Sequence, residues 1–276
     1  MARKMSKRRT VFVIVWIALI LILLASILAI GLSPGHSESI KQVMKDGVLH
    51  NENRIAFFGR TVNPAMISAY VVTAVLLLAA LLIRIFAIPR FKYVPGKFQA
   101  IIEKMVEFFA DMAKTNSPHK TGFVGAYIFG AGLYIFFGTM FELLGVQANT
   151  TTGMPIALPA PIADINAAIA MGVLSYAVIL GAGFISNGVK GGLKVLKDFS
   201  LPISMSFRLF GALLSGLLVT ELVYYYVSLS FVLPVVVGIL FTIMHALIQT
   251  YVLTTLVSTF YGEAVEPAKH KEKKEK

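Results

Sequence analysis

The stretch LPISMSFRLFGALLSGLLVTELVYYYV, residues 201–227, contains 27 residues, of which only Arg208 and Glu221 are charged. A helix rises about 1.5 Å per residue, so about 20 mostly apolar residues cross a hydrocarbon core of about 30 Å. Lipid offers unpaired backbone groups no partner, which leaves a helix as the way for such a segment to cross. The stretch therefore reads as a membrane span with a guanidinium inside it. Five further stretches have the same character, at 11–30, 64–88, 123–144, 167–187 and 231–261. The expected fold is an all-α polytopic membrane protein with five to six transmembrane helices, the two at the C-terminal end being long.

Composition agrees. Of 276 residues, 57% are hydrophobic and 14% charged, against roughly a quarter charged in a soluble domain. So few charges cannot cover a water-facing surface. The net charge of +11 does not imply a nucleic-acid partner, because the basic residues fall between apolar stretches rather than on one face of a soluble fold. The chain has no cysteine, which excludes a disulfide framework, a thiolate metal site and a cysteine nucleophile.

The basic residues orient the spans, since cytoplasmic loops gather lysine and arginine. With six spans and both termini inside, 20 of the 25 lysines and arginines are cytoplasmic, four (Lys41, Lys45, Arg54 and Arg60) are outside, and Arg208 is in the membrane. Residues 1–30 read as a retained signal anchor, because the apolar run of about 20 residues exceeds the usual signal core of about 7 to 15. If Ala29 or Gly31 marks a cleavage site, five spans and an outside N-terminus result. Residues 31–63 form an outside loop, 64–261 the main membrane domain and 262–276 a charged cytoplasmic tail. Between the second and third spans, Phe98, Ile102, Met105, Phe109 and Met112 recur at helical spacing. They predict an amphipathic helix on the cytoplasmic surface, set either on headgroups or against a soluble partner.

Ionisable groups inside the spans are rare, and each costs about 2.5 to 3.5 kcal/mol at mid-helix. Arg208 lies seven residues, about 10 Å, from the start of its span and cannot usefully discharge its proton. Ser204, Gly211, Ala212 and Ser215 share its helical face, so that face is lined with small side chains that let another helix come close. Glu221 lies 13 residues further along, about 20 Å toward the outer boundary. On the returning helix, Gln249 falls near the level of Arg208 and His245 about one turn nearer the outside, so Glu221, His245 and Gln249 form a descending polar series for an ion. Each also has a plainer reading, Glu221 as an interfacial carboxylate and His245 as a hydrogen-bonded core histidine. Glu142, Asp164 and Asn166 lie near the outer boundary and suit either an outer vestibule or ordinary helix ends, with Asp164 complementing the dipole of its helix. Tyr224, Tyr225 and Tyr226 read as an interfacial aromatic belt.

Four blocks in order resemble one family. PISMSFRLFG, residues 202–211, is similar to the arginine-bearing helix of subunit a of the F-type ATP synthase. VPGKFQ at 94–99, ADIN at 163–166 and IQTY at 248–251 match in order and topology, and the similarity extends over about 63–261. The resemblance implies a stator subunit with two long tilted helices pressed against a rotating ring of c subunits. It also implies contact with subunit b of the peripheral stalk, a bacterial inner membrane and no cofactor. Arg208 inherits the role of separating two aqueous half-channels for H+ or Na+, and Gln249 the polar position beside it. The chain departs from the family in two places. Ala212 stands where members often have asparagine. The family's outer-channel acid and histidine match Leu217 and Thr242, with Glu221 and His245 each about one turn later.

The resemblance implies that this chain performs no bond chemistry itself, and the absence of a G-x-x-x-x-G-K-[ST] phosphate loop fits a subunit that does not touch nucleotide. A self-contained secondary transporter whose Arg208 binds an anionic substrate is the alternative; such proteins usually show repeats and helices broken at mid-membrane, and neither is evident. A purely structural anchor leaves the intramembrane arginine without a rationale.

Overall fold

A computed structural model describes residues 7–30, 39, 41, 54–57, 59–151, 153, 155–226 and 233–267. Its seven long helices are α1 (Lys7–Ile30), α2 (Pro64–Leu82), α3 (Lys97–Asn116), α4 (Gly122–Phe141), α5 (Ile165–Leu196), α6 (Ser200–Tyr225) and α7 (Leu233–Val265). All except α3 belong to the six segments long and apolar enough to cross a membrane, so the chain is an all-α polytopic membrane protein. The charged tail beyond Pro267 and most of the outside loop lie outside the described residues.

The chain divides into two compact units, one of Asn53–Leu213 with Ile243–Lys276 and the other of Met1–Glu52 with Leu214–Thr242. In the first, Ile128 and Ile135 of α4, Ile179 of α5, Met205 and Leu209 of α6, and Val257 of α7 form one buried cluster. Apolar contact drives helices together less strongly in lipid than in water, so close packing and interhelical hydrogen bonds matter more. Tyr127 and Ser175 share a hydrogen bond of 2.9 Å, and Asn116 Nδ2 donates to Ser258 Oγ at 2.8 Å. Each such bond contributes about 0.6 kcal/mol on average.

Two hairpins lie in the same unit, β1 (Ile55–Phe57) with β2 (Arg60–Val62) and β3 (Gln147–Asn149) with β4 (Pro155–Ala157). Thr151 N donates to the Arg54 carbonyl at 2.9 Å and joins them. Ile55 and Leu158 then bury against Val72 and Phe141, tying the hairpins to α2 and α4. In the other unit, the large apolar side chains of α1 are exposed, Phe12 by 63% and Leu28 by 86%, as lipid-facing residues would be.

Local irregularities follow from the sequence. Past Leu82, α2 relaxes into a π turn (Ile83–Ala87) and a 3-10 turn (Ile88–Arg90). Pro89 supplies no backbone N–H there, so the regular hydrogen-bond ladder cannot continue through it. Helix α5 kinks at Gly188, whose φ of 61° lies in the left-handed region. Glycine adopts that conformation at little cost.

The amphipathic helix is α3, and the C-terminal part of its stripe is covered by the chain itself. Phe109 packs edge-on against Phe129 of α4, with ring centroids 5.6 Å apart, and Met112 Sδ accepts from Thr255 Oγ1 of α7 at 3.8 Å. Phe98, the first residue of the stripe, remains exposed. Gln99 fastens the preceding turn by acting as a backbone surrogate. Its Oε1 accepts from Lys92 N at 3.0 Å, while its Nε2 donates to Lys92 O at 2.8 Å and to Glu103 Oε1 at 2.7 Å.

Candidate functional site

The setting of Arg208 is decided by how α6 meets α5. Pro202, Met205, Ser206, Leu209 and Leu213 are buried, a set spaced at three and four residues as one helical face requires. They meet α5 at Gly172, where a Cβ would lie 2.9 Å from the Pro202 carbonyl oxygen and overlap the Ser206 hydroxyl. Ser206 Oγ is kept satisfied within its own helix, donating to Pro202 O at 2.7 Å. With this face held against α5, the opposite flank is turned outward.

That flank carries Ile203, Ser204, Phe207, Arg208 and Gly211, all exposed. A Cβ added to Gly211 would meet nothing within 4 Å. Among the described residues, Arg208 makes no ion pair or hydrogen bond. A guanidinium at this depth needs a partner to offset the cost of its charge, and its own unit supplies none among those residues. Ala212 is half-buried. In the other unit, Ser215 is exposed and Glu221 half-buried.

Helix α7 is similarly two-faced. Ala246, Gln249, Thr250 and Leu253 are buried, whereas Met244, Leu247, Ile248 and Tyr251 are exposed by 44% to 56%. Thr250 Oγ1 donates to the Gly132 carbonyl of α4 at 3.4 Å, fixing the buried face against α4. Gln249 therefore sits in the interior with 6% exposure, and its Oε1 has no hydrogen-bond partner among the described residues. His245, one turn earlier, is buried to 8% exposure. No hydrogen bond joins Gln249 to Arg208 among the described residues, so the two are not directly linked in this arrangement.

The polar residues near the other helix ends have different settings. Glu142 is exposed and opens a 3-10 turn at the end of α4. Asp164 is the N-cap of α5, its Oδ1 accepting from Asn166 N at 2.8 Å and from Asn166 Nδ2 at 3.1 Å. Its Oδ2 accepts from Asn63 Nδ2 at 2.9 Å, and Asn63 in turn caps α2 through Ala65 N at 3.0 Å. The two caps are thus one linked unit. Asn63, absent from the sequence-level candidates, is foreshadowed only by the Asn63-Pro64 pair, a helix-start signal that says nothing of Asp164.

A family model described as ATP synthase A chain matches residues 66–262. The matched region includes Arg208, Gln249, His245, Glu221, Glu142, Asp164 and Asn166.

Proposed function

The chain belongs to the ATP synthase A chain family, and on that premise we propose that it is the ion-conducting stator of a rotary F-type ATP synthase. It is a multi-pass membrane subunit of that complex. In the proposed mechanism H+ or Na+ passes through two offset half-channels beside a turning ring of c subunits. That flow is coupled to ATP synthesis, or to ATP-driven pumping, elsewhere in the complex. The peripheral stalk with subunit b holds this chain still in a bacterial inner membrane, with both termini cytoplasmic if the first helix is retained.

The observation that carries the reading is the exposed guanidinium of Arg208, without a partner among the described residues, on a flank that includes Ser204 and Gly211. A fixed positive charge favours the ionised form of a carboxylate that comes near it. A ring site arriving at Arg208 must therefore release its ion on one side and bind another only after moving on. The same charge opposes direct passage of cations from one half-channel to the other. Small side chains beside it allow the ring helix to approach. Glu221, His245 and Gln249 are proposed as partners for the ion on the outer side, with Glu142, Asp164 and Asn166 at the outer vestibule.

In the assembled complex, Arg208→Ala is expected to abolish ATP-driven ion pumping while the subunits still assemble. Retained pumping at the normal ratio of ions to ATP would overturn the assignment.

A further inference from the structure

Many hydroxyls in the spans satisfy themselves within their own helix. Ser68, Thr73, Ser175, Ser206, Thr220 and Thr254 each donate to the carbonyl four residues earlier. Thr139 of α4 does not. It is 1% exposed, and its Oγ1 has no hydrogen-bond partner among the described residues. Leaving a buried hydroxyl unpaired costs about 1 to 3 kcal/mol, so this one calls for a partner beyond the described residues.

Its position sets it among the polar groups of α7. Thr250 of α7 is bonded to the Gly132 carbonyl of α4, which aligns the two helices. They run in opposite directions, so Thr139, seven residues beyond Gly132, and His245, five before Thr250, rise about 10 Å and about 8 Å from that point. They come to nearly the same level. Gln249 lies about one turn below His245, and its Oε1 is the other buried side-chain oxygen without a partner among the described residues. A hydroxyl can donate and accept, an amide oxygen accepts, and a file of water molecules reaching from one level to the other can serve both.

We propose that Thr139 is a further residue of the ion path, its hydroxyl holding a buried water at the level of His245 and above Gln249. The water links the outer side to the interior of the bundle along α4 and α7, as one step of a hydrogen-bonded file. This rests on the ion-conducting reading above and adds to it a residue on a helix other than α6 or α7.

The test uses the whole complex in liposomes. Thr139→Val keeps the side-chain shape but removes the hydroxyl, and is expected to lower ion flux several-fold with assembly unchanged. Thr139→Ser restores flux to within about twofold. A purely packing role predicts the opposite order, with valine tolerated better than serine. Thr139→Cys places a lone thiol in a chain that otherwise has none. Silver ion added from the outer side should block that variant and spare the parent complex, since thiolate formation needs a wet site. Should Thr139→Val fail to assemble, the silver block decides. Normal flux in Thr139→Val, or a silver-resistant Thr139→Cys, would overturn the proposal. If Arg208→Ala still abolishes pumping in that case, the ion-conducting reading survives and only the role of Thr139 falls.

Discussion

At the scale of single residues, charge and capping can be separated. Arg208 is a charge without a partner among the described residues, whereas Asp164 is a charge whose oxygens already accept three hydrogen bonds. Losing an N-cap costs about 0.5 to 2 kcal/mol. Asp164→Ala and Asn63→Ala should each lower the thermal resistance of the detergent-solubilised complex. Because the two caps share a bond, the double variant should lose less than the sum of the singles. An additive result would mean that the caps act independently. Glu221→Ala makes the contrasting prediction: assembly should be intact, with slower ion flow from the outer side. Flux equal to that of the parent at every external pH would remove Glu221 from the path. Arg208 was legible in the sequence because an arginine seven residues inside an apolar run has few explanations. The link from Asp164 to Asn63 was not, because it joins residues 101 apart in the chain.

At the scale of elements, the contact of α5 with α6 determines where Arg208 points. Gly172 is the residue that permits it, since any Cβ there would overlap Ser206 and press on the Pro202 carbonyl. Gly172→Val is expected to push α6 away from α5, turn or shift the Arg208 flank, and reduce coupling to a small fraction. Gly172→Ala should show a milder form of the same loss. If Gly172→Val coupled normally, this contact would not be what orients the arginine. The sequence showed that Ser204, Gly211 and Arg208 share a face, because helical spacing fixes that relation. It did not show what covers α3. Periodicity marks the stripe from Phe98 to Met112, but an apolar stripe packs equally well on lipid, on a partner or on its own chain. The structure resolves this with Phe109 against Phe129 and Met112 against Thr255. In the same way, spacing placed Gln249 near the level of Arg208, but its burial and the bond from Thr250 to Gly132 are what show that this side of α7 faces inward.

At the scale of the whole molecule, six apolar segments and few charges made the membrane fold readable, because the thickness of the bilayer sets the length of every span. The family match over residues 66–262 places that fold in the ATP synthase. The account holds that the exposed flank of α6 is a working surface turned toward a moving partner. Cysteine cross-linking in the assembled complex tests this most directly. The probes are Ser204→Cys and Gly211→Cys on the exposed flank, with Met205→Cys on the buried face as the control. The account predicts that the two flank variants cross-link to cysteines on the outer helix of the c ring, in more than one rotational position, and that the control does not. Absence of any link from Ser204→Cys or Gly211→Cys to the ring, in a complex that assembles and pumps, would contradict it.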